Sequence, residues 1–176
     1  MSKLVYRKIS CLITNEGVAA RGGIRPTEED LGILRNAALA YSRKEGVLWV
    51  GPDSNLPRTF KERTWKHLDC RGLTAYPGLV DAHTHPVFAG NRALEFELRM
   101  QGAKYSEIAA AGGGILTTVK ATRAAKPKAL DLLLHERIHN AKKFGVRLLE
   151  AKSGYGLSAK SEIQSLEAIS RAKKNP

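Results

Sequence analysis

An α/β fold, organised on a parallel sheet or barrel, is predicted for residues 77–176 by the alternation of two hydrophobic periods. Residues 79–83 read as a short strand after Pro77-Gly78, and 146–151 as a second. Between them, 128–144 carries Leu130, Leu133, Leu134, Ile138 and Ala141 on one helical stripe, with Gly145 as its stop. After a loop at Ser153-Gly154-Tyr155-Gly156, the spacing of Ile163, Leu166 and Ile169 predicts a further amphipathic helix.

Residues 1–76 read differently, as short strands and turns, so a domain boundary is expected near residue 76. Residues 4–14 are strand-like and end at Asn15-Glu16-Gly17. Val47-Leu48-Trp49-Val50 is an apolar strand closed by Gly51-Pro52. The intervening 21–46 is mixed in pattern and expected to be rich in loops, with a helix starting at Thr27.

Composition narrows the functional classes. The 176 residues are 43% hydrophobic and 26% charged, enough to build a core. No apolar run approaches a membrane span, and the charged start at Met1 to Lys8 is not followed by the apolar stretch of a secretory signal. Cys11 and Cys70 are too far apart for a zinc spacing and too few for a disulfide framework. Two reduced thiols in the cytoplasm are expected. The net charge of +12 is spread along the chain, with basic clusters at 58–66 and 171–174. No nucleic-acid motif accompanies them, so solubility and anion steering are favoured over a basic anion- or nucleic-acid-binding module.

Three motifs could carry chemistry. In Asp81-Ala82-His83-Thr84-His85-Pro86, strand alternation sends His83 and His85 to the same side, about 7 Å apart. Pro86 ends the ladder, which puts the pair at the carboxyl end of the strand, where parallel α/β folds bind ligands. Such a pair can grip one metal ion. His135-Glu136-Arg137-Ile138-His139 matches a zinc-protease pattern, but only Glu150, Glu162 or Glu167 follow as candidates for a third ligand. An ordinary helix face is the preferred reading. Ala111-Gly112-Gly113-Gly114-Ile115 lacks the Lys of a P-loop and reads as a tight backbone turn.

Together these residues resemble a known family. The run from Pro77 to His85 is similar to the first barrel strand of the amidohydrolase superfamily. Pro86 to Arg92, Gln101-Gly102, Tyr105, Ala111 to Ile115, Thr118-Val119, Thr122 to Ala125 and Lys152 to Leu157 resemble, more narrowly, the imidazolonepropionase family. The resemblance implies a (β/α)8 TIM-type barrel whose first two or three βα units are residues 77–176. It also implies a small β-sandwich to which residues 1–76 contribute strands. It makes His83 and His85 ligands of one zinc or iron ion, and Arg92 and Tyr155 substrate-binding residues, with Tyr105 a further lining residue. His135 and His139 would lie on the outer ring of helices.

The implied reaction is hydrolysis of 4-imidazolone-5-propanoate to N-formimino-L-glutamate in histidine degradation. The metal activates water, Arg92 pairs with the substrate carboxylate, and no organic cofactor takes part. Another amidohydrolase or a deaminase is the nearest alternative. The expected partner is the small carboxylate substrate, with no nucleic acid and no membrane, and a homodimer is the candidate assembly at full length. A barrel needs about 200 residues or more. The chain is therefore expected to be the N-terminal portion of a longer enzyme, inactive alone, with the general base and remaining ligands beyond Pro176. Arg147, where the family has a Gly-Thr-Thr-like strand, has no explanation in the sequence.

Overall fold

The computed structural model describes residues 3–174 and divides into two compact units, Met1–Pro77 and Gly78–Pro176. Met1, Ser2 and the side chain of Lys174 lie outside the described residues, so the reading of the extreme N-terminus and part of the 171–174 cluster fall outside them too.

The first unit is a five-stranded sheet in the order β3-β2-β1-β4, with β5 also on β1. The strands are β1 Lys3–Ile13, β2 Ile33–Ser42, β3 Gly46–Pro52, β4 Lys66–Asp69 and β5 Thr74–Ala75. A five-residue helix, α1 Glu16–Ala20, follows β1. The centre of the sheet corrects the loop-rich expectation for 21–46. Ala37, Ala38, Leu39, Ala40 and Tyr41 form half of β2, which pairs antiparallel with both β1 and β3. Alanine is depleted in strands by propensity, but Ala37, Ala38 and Ala40 are fully buried here, packed in the two cores on either side of the sheet. The helix expected from Thr27 is a single 3₁₀ turn, Glu29–Leu31.

A bulge gives β1 two inner faces. The register passes from Tyr6 opposite Leu39 to Ile9 opposite Ala37, and Lys8 takes a φ of 56°. Val5 therefore packs with Ala38, Ala40, Leu56 and Trp65, whereas Ile9 and Leu12 pack on the other side with Ala37 and Cys70. The unpaired amide at the bulge donates to Asp53 Oδ1 at 3.0 Å, and Arg7 adds a two-pronged pair to the same carboxylate at 2.6 and 2.7 Å. Cys11 and Cys70 are free thiols, and burial together with nearby Asp69 pushes the Cys70 thiol up from its ordinary value.

The Arg7 hydrogen bond, above all, holds the Asp53 carboxyl below the usual carboxylate range, outweighing burial, and the Lys8 amide helps. A depressed carboxyl stabilises the fold fully above its unfolded value, about 4. That contribution is lost as pH falls through the lower folded value. Asp53→Asn is expected to cost the first unit about 1–3 kcal/mol at neutral pH. It should also flatten the acid limb of stability against pH in urea unfolding below about pH 4.

The second unit holds two parallel strands, β6 Leu79–Thr84 and β7 Val146–Ala151, joined through four helices. These are α2 Ala93–Met100, α3 Tyr105–Ala110, α4 Ile115–Ala124 and α5 Pro127–Lys143; α6 Ala159–Lys174 follows β7. The stripe on α5 is present, with Pro127 in the first turn and Leu130 and Leu134 buried. The core joins Val87, Ala89, Leu130, Leu134, Ala168 and Ala172. On α6 the buried face is Ser165, Ala168 and Ala172, with Ile169 of the expected stripe packed against the core, while Ile163 and Leu166 are 54% and 49% exposed. Small side chains let α6 approach α5 closely, so those two turn outward. Among the described residues, no helix is long and apolar enough to cross a membrane.

Arg147 acquires an explanation. Its Nη1 donates to the carbonyls of Lys142 and Val146 at 3.0 and 3.2 Å, closing the end of α5. Its aliphatic stem lies on the backbone of Gly78, where a Cβ has no room.

Candidate metal and substrate site

The carboxyl ends of β6 and β7 carry the two loops that hold most of the expected site residues. Pro86 and Val87 are buried just beyond β6, and Ala89 N–H donates to the buried Thr122 hydroxyl of α4 at 3.1 Å. The path of the chain after the histidines is thus fixed by the core. After β7, the loop 152–158 is gripped by its main chain. Arg123 of α4 donates to the carbonyls of Gly156 and Leu157 at 2.6 and 2.8 Å. Glu162 of α6 accepts the amides of those same residues at 2.8 and 2.7 Å. Burial alone would raise the Glu162 carboxyl, but the amide donors outweigh it and hold it below its ordinary value.

His83 and His85 lie with ring centroids 5.3 Å apart, nearer than strand alternation alone gives, because His85 stands one residue beyond the end of β6. His83 is exposed and His85 half-buried. The His83 amide donates to Asp81 Oδ1 at 3.3 Å, anchoring the backbone. The Nδ1 of His85 is 2.7 Å from the Ser153 carbonyl. A carbonyl only accepts, so Nδ1 carries a proton and Nε2 is the ring nitrogen left to face a metal. That is the arrangement in which an imidazole is oriented for a metal by the group behind it. The ring can lie this close to the loop because residue 154 is glycine: a Cβ there would sit 2.6 Å from His85 Nδ1.

Tyr155 joins the pair, with its ring edge-on to His85 at 6.0 Å. Its other neighbour is Phe88, at 5.3 Å, which sequence reasoning did not single out. Arg92 lies at the exposed start of α2 and, among the described residues, makes no hydrogen bond or ion pair with His83, His85 or Tyr155. Tyr105 opens α3 and is 61% exposed, with its hydroxyl 3.4 Å from where a Cβ on Gly114 would stand. The glycine run does serve as a tight turn: Gly112 and Gly114 have φ of 82° and 72°, and Gly114 begins α4.

The donor set suits a metal in part. Two imidazoles at one strand end, one of them held in the ligating tautomer, match what zinc or iron takes from a protein. Among the described residues, no group of three or more His, Cys, Asp or Glu is placed to hold a metal, so the pair stands without a third protein ligand. The competing protease motif gathers nothing. His135, Glu136 and His139 are exposed, and His135 Nδ1 bonds the Asp131 carbonyl one turn back at 2.8 Å. Each candidate third ligand is engaged elsewhere: Glu162 on the loop, Glu150 with Lys152 at 3.6 Å, and Glu167 with Arg171 at 4.0 Å.

Comparison with known proteins agrees with the fold and the motifs. No family model matches the chain. It is 43% identical over 169 residues to an imidazolonepropionase of Bdellovibrio bacteriovorus, covering 96% of this chain and 40% of that protein. The imidazolonepropionase of Geobacillus kaustophilus is 41% identical, with 97% of this chain and 41% of the relative covered. That of Shewanella loihica is 50% identical over 136 residues, with 77% and 33% covered. Among solved structures, a triazine hydrolase superposes with a TM-score of 0.54 at 16% identity, covering 98% of this chain and 34% of its own. Escherichia coli guanine deaminase superposes at 0.52 and 16%, covering 99% and 34%. At these identities the structures speak for the fold alone, a mixed α/β arrangement. The chain spans about two-fifths of the length of its two fuller sequence matches, both imidazolonepropionases.

Proposed function

We propose that this chain forms part of a cytoplasmic imidazolonepropionase, a hydrolase that opens the ring of 4-imidazolone-5-propanoate with water to give N-formimino-L-glutamate. The observation that carries the reading is the His83–His85 pair at the end of β6, with His85 oriented by the Ser153 carbonyl and flanked by the Tyr155 phenol. In this reading His83 and His85 are two ligands of one zinc or iron ion. One structural neighbour, an atrazine chlorohydrolase variant, is itself complexed with zinc and atraton. When bound, the metal supplies a Lewis acid that activates water at neutral pH.

The chain's own residues do the rest. Tyr155, whose ring lies edge-on to His85, orients the substrate ring. Arg92, exposed and without an ion pair among the described residues, receives the propionate as a planar fork. The loop 152–158 keeps Tyr155 in place through its main-chain bonds to Arg123 and Glu162.

The same reading makes residues 77–176 the first βα units of a (β/α)8 barrel and residues 1–76 strands of a small β-sandwich. Two features support it. Among the described residues the parallel sheet has two strands, and Val80 and Leu148 on it are 60% and 62% exposed, as expected of strands that lack neighbours. An apolar cavity of about 420 Å³ lies against β7 between α5 and α6, lined by Leu134, Ile138, Leu149 and Ile169 among others.

The test is kinetic. In the longest polypeptide its reading frame encodes, the protein should open the imidazolone ring. Arg92→Ala should raise KM by about 10- to 100-fold, the loss of one charged hydrogen bond, with metal content unchanged. An unaltered KM would assign the substrate to another class. Residues 1–176 alone should show no turnover, and measurable hydrolysis by them would overturn the fragment reading.

A further inference from the structure

Arg137 stands in the middle of the His-Glu-x-x-His motif, but on another face of α5 from His135 and His139. It lies one turn after the buried Leu134 and beside Ile138, on the stripe that meets the core. A guanidinium brought out of water needs acceptors, and among the described residues no carboxylate pairs with it. Burial pulls its pKa down from the usual guanidinium value, and Glu136 offsets only part of this. The acceptors it finds are main-chain carbonyls. Its Nη1 donates to Pro86 at 2.8 Å and to Phe88 at 2.7 Å, in the loop directly after His85.

The same guanidinium lies 3.5 Å over the centre of the Phe88 ring. Phe88 meets Tyr155 edge-on at 5.3 Å, Tyr155 meets His85 at 6.0 Å, and His85 meets His83 at 5.3 Å. A continuous row of neighbouring groups, the rings meeting edge-on, therefore runs from α5 to the paired imidazoles. A Leu or Met at 137 would complete the apolar stripe without the desolvation cost of a cation. The charge does something an apolar residue cannot: it bridges two carbonyls and offers a flat cationic face to an aromatic ring.

We propose that Arg137 is a positioning residue of the site: it fixes the path of residues 86–88 and, through the Phe88 ring, sets Tyr155 against His85. The proposal rests on the reading of Tyr155 and His85 as site residues, yet its test needs neither metal nor substrate. The experiment is solution NMR of the full chain with labelled His and aromatic residues. Wild type should give ring-to-ring nuclear Overhauser contacts for Phe88–Tyr155 and Tyr155–His85, together with the nitrogen signature of a His85 protonated at Nδ1.

Arg137→Lys keeps the charge and N–H donors for the carbonyls but offers no planar face to the Phe88 ring, and should lose both sets of contacts. Leu134→Ala, which opens a cavity on the same helix, should keep them. Retention of the contacts in Arg137→Lys, or their equal loss in Leu134→Ala, would overturn the proposal, as would their absence in wild type. Should Arg137→Lys fail to fold, Phe88→Leu decides from the loop side: the Tyr155–His85 contact must vanish there, and its persistence sinks the idea. Failure of the metal reading is a separate result, namely intact contacts in a wild-type protein that binds no cobalt(II).

Discussion

His83→Ala and His85→Ala should each abolish stoichiometric metal in the longest polypeptide the reading frame encodes, while His135→Ala leaves it in place. The geometry sets the contrast. The first two rings sit 5.3 Å apart with one Nε2 freed by the Ser153 carbonyl, whereas His135 is exposed and bonded to its own helix. Removing either ring leaves a single imidazole, and among the described residues no further His, Cys, Asp or Glu is grouped with it to take the lost place. Elemental analysis of the three purified variants gives the answer directly. Metal lost in His135→Ala and kept in His83→Ala would move the centre to α5 and reverse the assignment.

Gly154→Ala is the second large effect. The added methyl would sit 2.6 Å from His85 Nδ1 and 2.9 Å from Cε1, well inside contact distance, and it would intrude on the bond between the ring and the Ser153 carbonyl. The loop cannot recoil freely, because Gly156 and Leu157 are held by Arg123 and Glu162. The ring must therefore turn and lose its orienting partner. Loss of such a partner typically weakens metal binding by about 10- to 100-fold. Competition against a chromophoric chelator would measure this, with circular dichroism as a check that the fold survives. Wild-type affinity in Gly154→Ala would mean that the carbonyl contact does not orient the ligand.

The parts of the molecule legible in the sequence are those where one physical signal acts alone. The apolar stripe of α5, the two strands β6 and β7, and the His-x-His followed by Pro86 need only periodicity and the missing amide of proline. β2 was illegible because three alanines, poor strand formers by propensity, are placed by the packing above them. On α6 two apolar faces compete, and small residues win the contact with α5 because they allow closer approach. Phe88 and Ser153 were missed for a different reason: one acts by its ring in a loop and the other by its carbonyl, and neither leaves a pattern of residue types. Arg137 did leave one, an arginine interrupting a buried stripe, hidden inside a more conspicuous motif.

The loop between β7 and α6 is secured by two side chains that read only its backbone, Arg123 from one side and Glu162 from the other. Such fastening is blind to what residues 155 and 157 display. A frame of this kind could exchange its displayed groups, and so the molecules it accepts, without redrawing the turn. Related enzymes with different substrates could diverge at these positions while Arg123 and Glu162 stay fixed.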